Sequence, residues 1–82
     1  MAARHLSAAA RKDQIMDAAR VLFLTKGYEP TTVEDILTRV GIAKGTLYHH
    51  FPSKEAIMEA IVVRTADAIA ENAQRAASSD GP

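Results

Sequence analysis

Apolar residues recur along this chain at helical rather than strand spacing. Ile15, Ala19, Leu22 and Phe23 fall at i, i+4, i+7 and i+8, one face of an α-helix. Ser7 stands as N-cap ahead of a run rich in alanine and straight-chain helix formers. Lys26-Gly27 closes this helix with a cation and then a glycine free to turn left-handed, and Tyr28 follows, placed to pack back onto the helix end. Pro30 and Thr31 open a second helix. Thr31-Thr32-Val33-Glu34 reads as a capping box, in which the Thr31 hydroxyl and the Glu34 carboxylate satisfy orphan backbone donors. Its apolar face is Val33, Ile36, Leu37 and Val40, and Gly41 stops it. A short third helix starts near Ala43 or Lys44 and ends by His50, because Phe51 precedes Pro52. Ser53 caps a fourth helix running from Lys54 toward Ala77, with Ile57, Ile61 and Ile69 inward. The predicted fold class is all-α: a three-helix helix-turn-helix domain followed by a longer fourth helix. The chain divides into an N-terminal arm (1–10), the domain itself (11–77) and a polar tail (78–82).

Composition narrows the function classes. The 82 residues suffice for one small domain, and 48% hydrophobic content supports a modest core. The absence of cysteine excludes disulfides, thiolate metal sites and a thiol nucleophile. The longest apolar runs, such as Ala60-Ile61-Val62-Val63, are far too short to span a bilayer, and Met1 to Lys12 has no apolar stretch before a cleavage site. These features point to a soluble, cytoplasmic protein with no membrane partner. The formal net charge is zero, but it hides a gradient. Five cations face two acids over residues 1–27, and three face five over 52–82. No acid stands between Asp35 and Glu55, where Arg39, Lys44, His49, His50 and Lys54 lie. The sign on one face, not the total, is what a phosphate backbone meets.

The third helix carries the chemistry. Leu47 and Phe51 face the core, and a turn of about 100° per residue puts Lys44, Gly45, Tyr48 and His49 on the opposite side. A merely solvated helix would show Glu, Lys and Gln there. Glycine in the first turn of a short helix costs about 1 kcal/mol against alanine, which makes sense if the backbone must approach a base edge or phosphate. Tyr48 suits a phosphate contact better than a bare surface position. His49 suits contact and bystander equally, and His50 combines contact with packing beside Phe51. As metal ligands the two histidines fail, because adjacent helix positions diverge and no third ligand follows. Ser53, Thr46 and the histidines supply no activated nucleophile, so no enzyme is expected. Arg4, Arg11 and Lys12 would serve as a minor-groove arm, although a disordered terminus is the commoner case.

The segment Gly27-Tyr28, Thr31 to Ile36 and Gly41 to Ile57, with Gly41-Ile42-Ala43-Lys44-Gly45-Thr46-Leu47-Tyr48-His49-His50-Phe51-Pro52-Ser53-Lys54 at its centre, closely resembles the signature of the TetR family of transcriptional regulators. The resemblance covers roughly residues 11–65 and implies sequence-specific binding of double-stranded DNA, as a repressor, with the third helix in the major groove. It assigns Lys44 and Gly45 to base edges or nearby phosphates, and Thr46 to a phosphate or thymine methyl. Tyr48, His49 and His50 are assigned to the sugar–phosphate backbone, and Lys54 to a phosphate from the start of the fourth helix. Thr32 would offer its hydroxyl and backbone N–H to a phosphate. Family members often carry serine where Ala43 stands, so the third helix is expected to lack a side-chain cap. The chain also ends where the family's effector-binding, dimer-forming domain would follow. The expectations are therefore a monomer reading one half of a palindromic operator, no cofactor, no metal and no effector bound by these residues. The alternative is a helix-turn-helix module that presents the same face to a protein. An apolar outward face would mark it, and Lys44, Gly45, Thr46 and Tyr48 are not that.

Overall fold

A computed structural model describes residues 6–79, in which four α-helices follow one another without strands: α1 (Ala8–Thr25), α2 (Val33–Val40), α3 (Lys44–His50) and α4 (Lys54–Ser79). The fold is all-α, as the periodicity predicts. Arg4 of the expected arm and residues 80–82 of the tail lie outside the described residues. Arg11 and Lys12 belong to α1 itself and are not part of an arm.

Each helix lends one large aliphatic side chain to a common centre. Ile15, Ile36, Leu47 and Ile57, from α1 to α4 in order, are all fully buried. Met16, Ala19, Phe23, Phe51 and Ile61 complete the core around them, with Leu22, Tyr28, Val33, Leu37 and Val40 packed half-buried against it. Removing a side chain such as Leu47 leaves a void that a bundle this small has few neighbours to fill.

The boundaries follow from local chemistry. The Ser7 hydroxyl accepts from the N–H of Ala10 at 3.1 Å and caps α1, and the Ser53 hydroxyl accepts from the N–H of Ala56 at 3.1 Å. Gly27 and Gly41 adopt φ of 104° and 83°, and Gly41 donates to the carbonyl of Leu37 at 2.7 Å to close α2. Phe51 is extended (φ −136°, ψ 124°), the conformation that a following proline imposes.

Two expectations are corrected. The capping box of α2 is shifted by one residue: Thr32 is the N-cap and Asp35 its partner, in place of Thr31 and Glu34. Thr31 is instead buried, and its hydroxyl donates to the carbonyl of Gly27 at 2.6 Å. Tandem threonines followed by tandem acids fit either register, and burial of the first threonine decides. Ile69 does not face inward; it is 63% exposed. At about 1.5 Å per residue α4 outruns α1. The last residue of α4 joined to α1 by an ion pair is Arg64, 3.6 Å from Asp13 and 3.0 Å from Asp17, and every residue from Thr65 to Ala76 is exposed.

Candidate nucleic-acid interface

The turn between α2 and α3 is three residues, Gly41 to Ala43, and the left-handed Gly41 (φ 83°, ψ 39°) lets α3 set off at a new angle without steric cost. Leu47 and Phe51 anchor α3 from beneath. Because they face the core, Lys44, Gly45, Tyr48 and His49 are exposed together, and Thr46 and His50 are half-buried at the margins. Ala43, the N-cap, makes no side-chain cap hydrogen bond. The backbone donors of the first turn of α3 are thus not covered by a capping side chain.

Gly45 has no internal reason to be glycine. Its φ is not among the positive values, and a Cβ placed there would meet nothing within 4 Å. Neither backbone strain nor packing of this chain excludes a side chain, so the propensity penalty of about 1 kcal/mol is uncompensated inside the molecule.

The charges around this face are partly paired. Lys44 lies 3.2 Å from Glu34 of α2, with both side chains more than half exposed. Such a surface pair is weak, because water screens it, and leaves Lys44 readily displaced. The Glu34 carboxyl is held below its ordinary range, first by its own backbone N–H and then by Lys44. Asp35 is paired as well. Its Oδ2 accepts from the backbone N–H of Thr32 at 2.9 Å and from the Lys26 ammonium at 2.7 Å, and its pKa is lowered to about 2, chiefly by Lys26.

The Thr32 N–H expected to meet a phosphate is therefore occupied. Its hydroxyl accepts from the Asp35 N–H at 3.1 Å and keeps its own proton to donate outward. Lys54, likewise expected at a phosphate, is turned inward. Its Nζ donates to the carbonyls of Tyr28 (2.8 Å), Thr31 (3.1 Å) and Glu29 (3.4 Å) and sits 4.2 Å from the centroid of the Tyr28 ring. The partial burial of Tyr28, with Glu55 and Glu29 nearby, raises its phenol above the usual range.

Two relationships were not legible from spacing. The His50 imidazole is pushed to a lower pKa, first by desolvation, then by His49, Lys12 and Arg11. The first turns of α1 therefore place two cations beside the end of α3, with Lys12 Nζ 5.9 Å from the Phe51 ring centroid. Glu34 is the other, an acid set against Lys44 of α3. Only the excess of cations near the N-terminus hinted at the first, and nothing in the sequence pattern at the second.

Among the described residues, no group of three or more His, Asp or Glu is placed to hold a metal ion, and no helix is long and apolar enough to cross a membrane.

The sequence is similar to known proteins. The family model described as bacterial regulatory proteins, tetR family, matches residues 15–61. The HTH-type transcriptional repressor KstR2 of Mycolicibacterium smegmatis is 43% identical over 54 residues, covering 66% of this chain and 26% of that protein. The biofilm operon icaADBC HTH-type negative transcriptional regulator IcaR of Staphylococcus aureus is 52% identical over 48 residues, covering 58% of this chain and 26% of that protein. The chain thus spans about a quarter of the length of these curated relatives. No solved structure matches it.

Proposed function

This chain belongs to the tetR family of bacterial regulatory proteins, and from that premise we propose that it binds double-stranded DNA sequence-selectively in the cytoplasm and represses transcription. The observation that carries the reading is the outward face of α3, where Lys44, Gly45, Tyr48 and His49 stand exposed together and the glycine is left open for a partner's surface. With its side chains α3 is about 10–12 Å across, a fit to a major groove about 12 Å wide.

In this reading Lys44 donates to acceptors on base edges once Glu34 is displaced, and Gly45 lets the backbone approach them. Thr46 meets a phosphate or a thymine methyl. Tyr48, His49 and His50 donate to the sugar–phosphate backbone, and the Thr32 hydroxyl donates to a phosphate at the start of α2. Arg11 and Lys12 add positive potential beside His50. One chain reads one half-site, and two copies held together read a palindrome whose halves lie about 34–36 Å apart. These residues carry out no catalysis, bind no small-molecule effector and need no cofactor.

Selection of bound sequences from a random duplex pool at fixed salt tests the proposal. Enrichment of one short motif is the expected result. A pool that stays random after several rounds contradicts it.

A further inference from the structure

Lys54 stands at the first position of α4, where the helix dipole disfavours a cation. The three carbonyls gathered on its ammonium account for its place there. They belong to residues 28, 29 and 31, the turn that leads from α1 into α2. An ammonium has three protons to donate, and three acceptors lie within 3.4 Å of Nζ, with the Tyr28 ring closing a further side.

The peptide unit joining Thr31 to Thr32 is held at both ends. Its carbonyl accepts from Lys54 at 3.1 Å, and its N–H donates to the Asp35 carboxylate at 2.9 Å. The Thr31 side chain is pinned in turn by the carbonyl of Gly27 at 2.6 Å. Thr32, the N-cap whose hydroxyl points a donor outward, follows directly. We infer that Lys54 is a positioning residue of the DNA-reading head: it makes no phosphate contact, and by caging its ammonium among the carbonyls of Tyr28, Glu29 and Thr31 it fixes where α2 begins and where the Thr32 hydroxyl is presented. The inference rests on the DNA-binding reading for its consequence, but the cage itself does not.

Arginine separates the two roles. A guanidinium keeps the charge that a phosphate needs, yet its planar fork does not converge three donors on one point. The test uses the 82-residue chain and its Lys54→Arg and Lys54→Met variants, with folded fractions checked by circular dichroism and affinities corrected for them. Affinity is measured on the selected duplex and a scrambled one across a salt series. Both variants should weaken binding to both duplexes by about tenfold, the scale of a charge-assisted hydrogen bond left unmade, with the dependence of log K on log salt unchanged. Reductive methylation of the free parent chain should modify Lys54 more slowly than Lys12 or Lys44.

Full binding by Lys54→Arg, or a salt slope reduced by about 0.9 in Lys54→Met, would assign Lys54 to a phosphate and overturn the inference. Methylation of Lys54 as fast as Lys44 would overturn the cage. A parent chain that binds no duplex would overturn the DNA reading and the positioning role together, while the methylation rates still decide the cage.

Discussion

Replacing Gly45 by glutamine should move stability and DNA binding in opposite directions. The backbone at Gly45 is not left-handed, and a side chain there projects into open space, so the folded chain accepts it without strain. Glutamine has a helix propensity near that of alanine, and the exchange is worth up to about 1 kcal/mol. For a domain of this size that raises the melting temperature by up to about 4–8 °C, and by less where the position lies in the first turn. On DNA the same side chain must fit between α3 and the base edges, where the glycine allows contact. Losing one good base contact through this displacement costs about 1–3 kcal/mol, so affinity for the selected duplex should fall by about tenfold to a hundredfold. Gly45→Ala, which adds only a methyl, should retain the stability gain and lose less affinity. Thermal melts by circular dichroism and anisotropy titrations on the same samples measure both sides. A Gly45→Gln chain that binds the selected duplex as well as the parent, with unchanged sequence preference, would show that the open space over Gly45 has no partner.

Lys44→Ala should weaken binding and also flatten the difference between selected and scrambled duplexes, because the lost donor reads base edges; equal losses on both duplexes would place Lys44 on phosphates instead. The Asp35 carboxyl, with its pKa lowered from 3.8 to about 2, contributes stability that is fully present above about pH 4 and disappears as pH falls toward 2. Asp35→Asn should therefore abolish that part of the acid dependence, as urea titrations between pH 2 and 5 will register. Leu47→Ala should cost about 2–5 kcal/mol in urea unfolding, whereas Ile69→Lys should change stability by about 0.5 kcal/mol or less. A large effect at Ile69 would mean that the exposed end of α4 packs on something.

Much of this molecule was legible because helices announce themselves through periodicity and punctuation. Ser7, Gly27, Gly41 and the Phe51-Pro52 step set boundaries that depend only on neighbouring residues, and the structure has helix ends at each. The outward face of α3 followed from placing Leu47 and Phe51 inside. What failed to show was tertiary. Whether Thr31 or Thr32 caps α2 depends on which one α1 and α4 bury, and local spacing is the same for both. Ile69 sits at the right spacing for a core position, but nothing among the described residues covers it. Lys54 has the composition of a surface cation, and only the fold brings the carbonyls of residues 28 to 31, more than twenty positions earlier, onto its ammonium. The Glu34–Lys44 pair likewise needs the angle between α2 and α3, which no sequence period encodes.

In the proposed function the face built on α3 and the start of α2 meets the phosphates and base edges of duplex DNA. The most direct measurement is the affinity of the chain for a fluorescent duplex bearing the selected motif, titrated across a salt series beside a scrambled duplex. Counterions are released by cations, here Lys44, Arg11 and Lys12, so log K should fall against log salt with a slope of about −2 to −3, and the selected duplex should bind more tightly at every salt concentration. Binding that is indifferent to salt, or equal for the two duplexes throughout the series, would contradict the account.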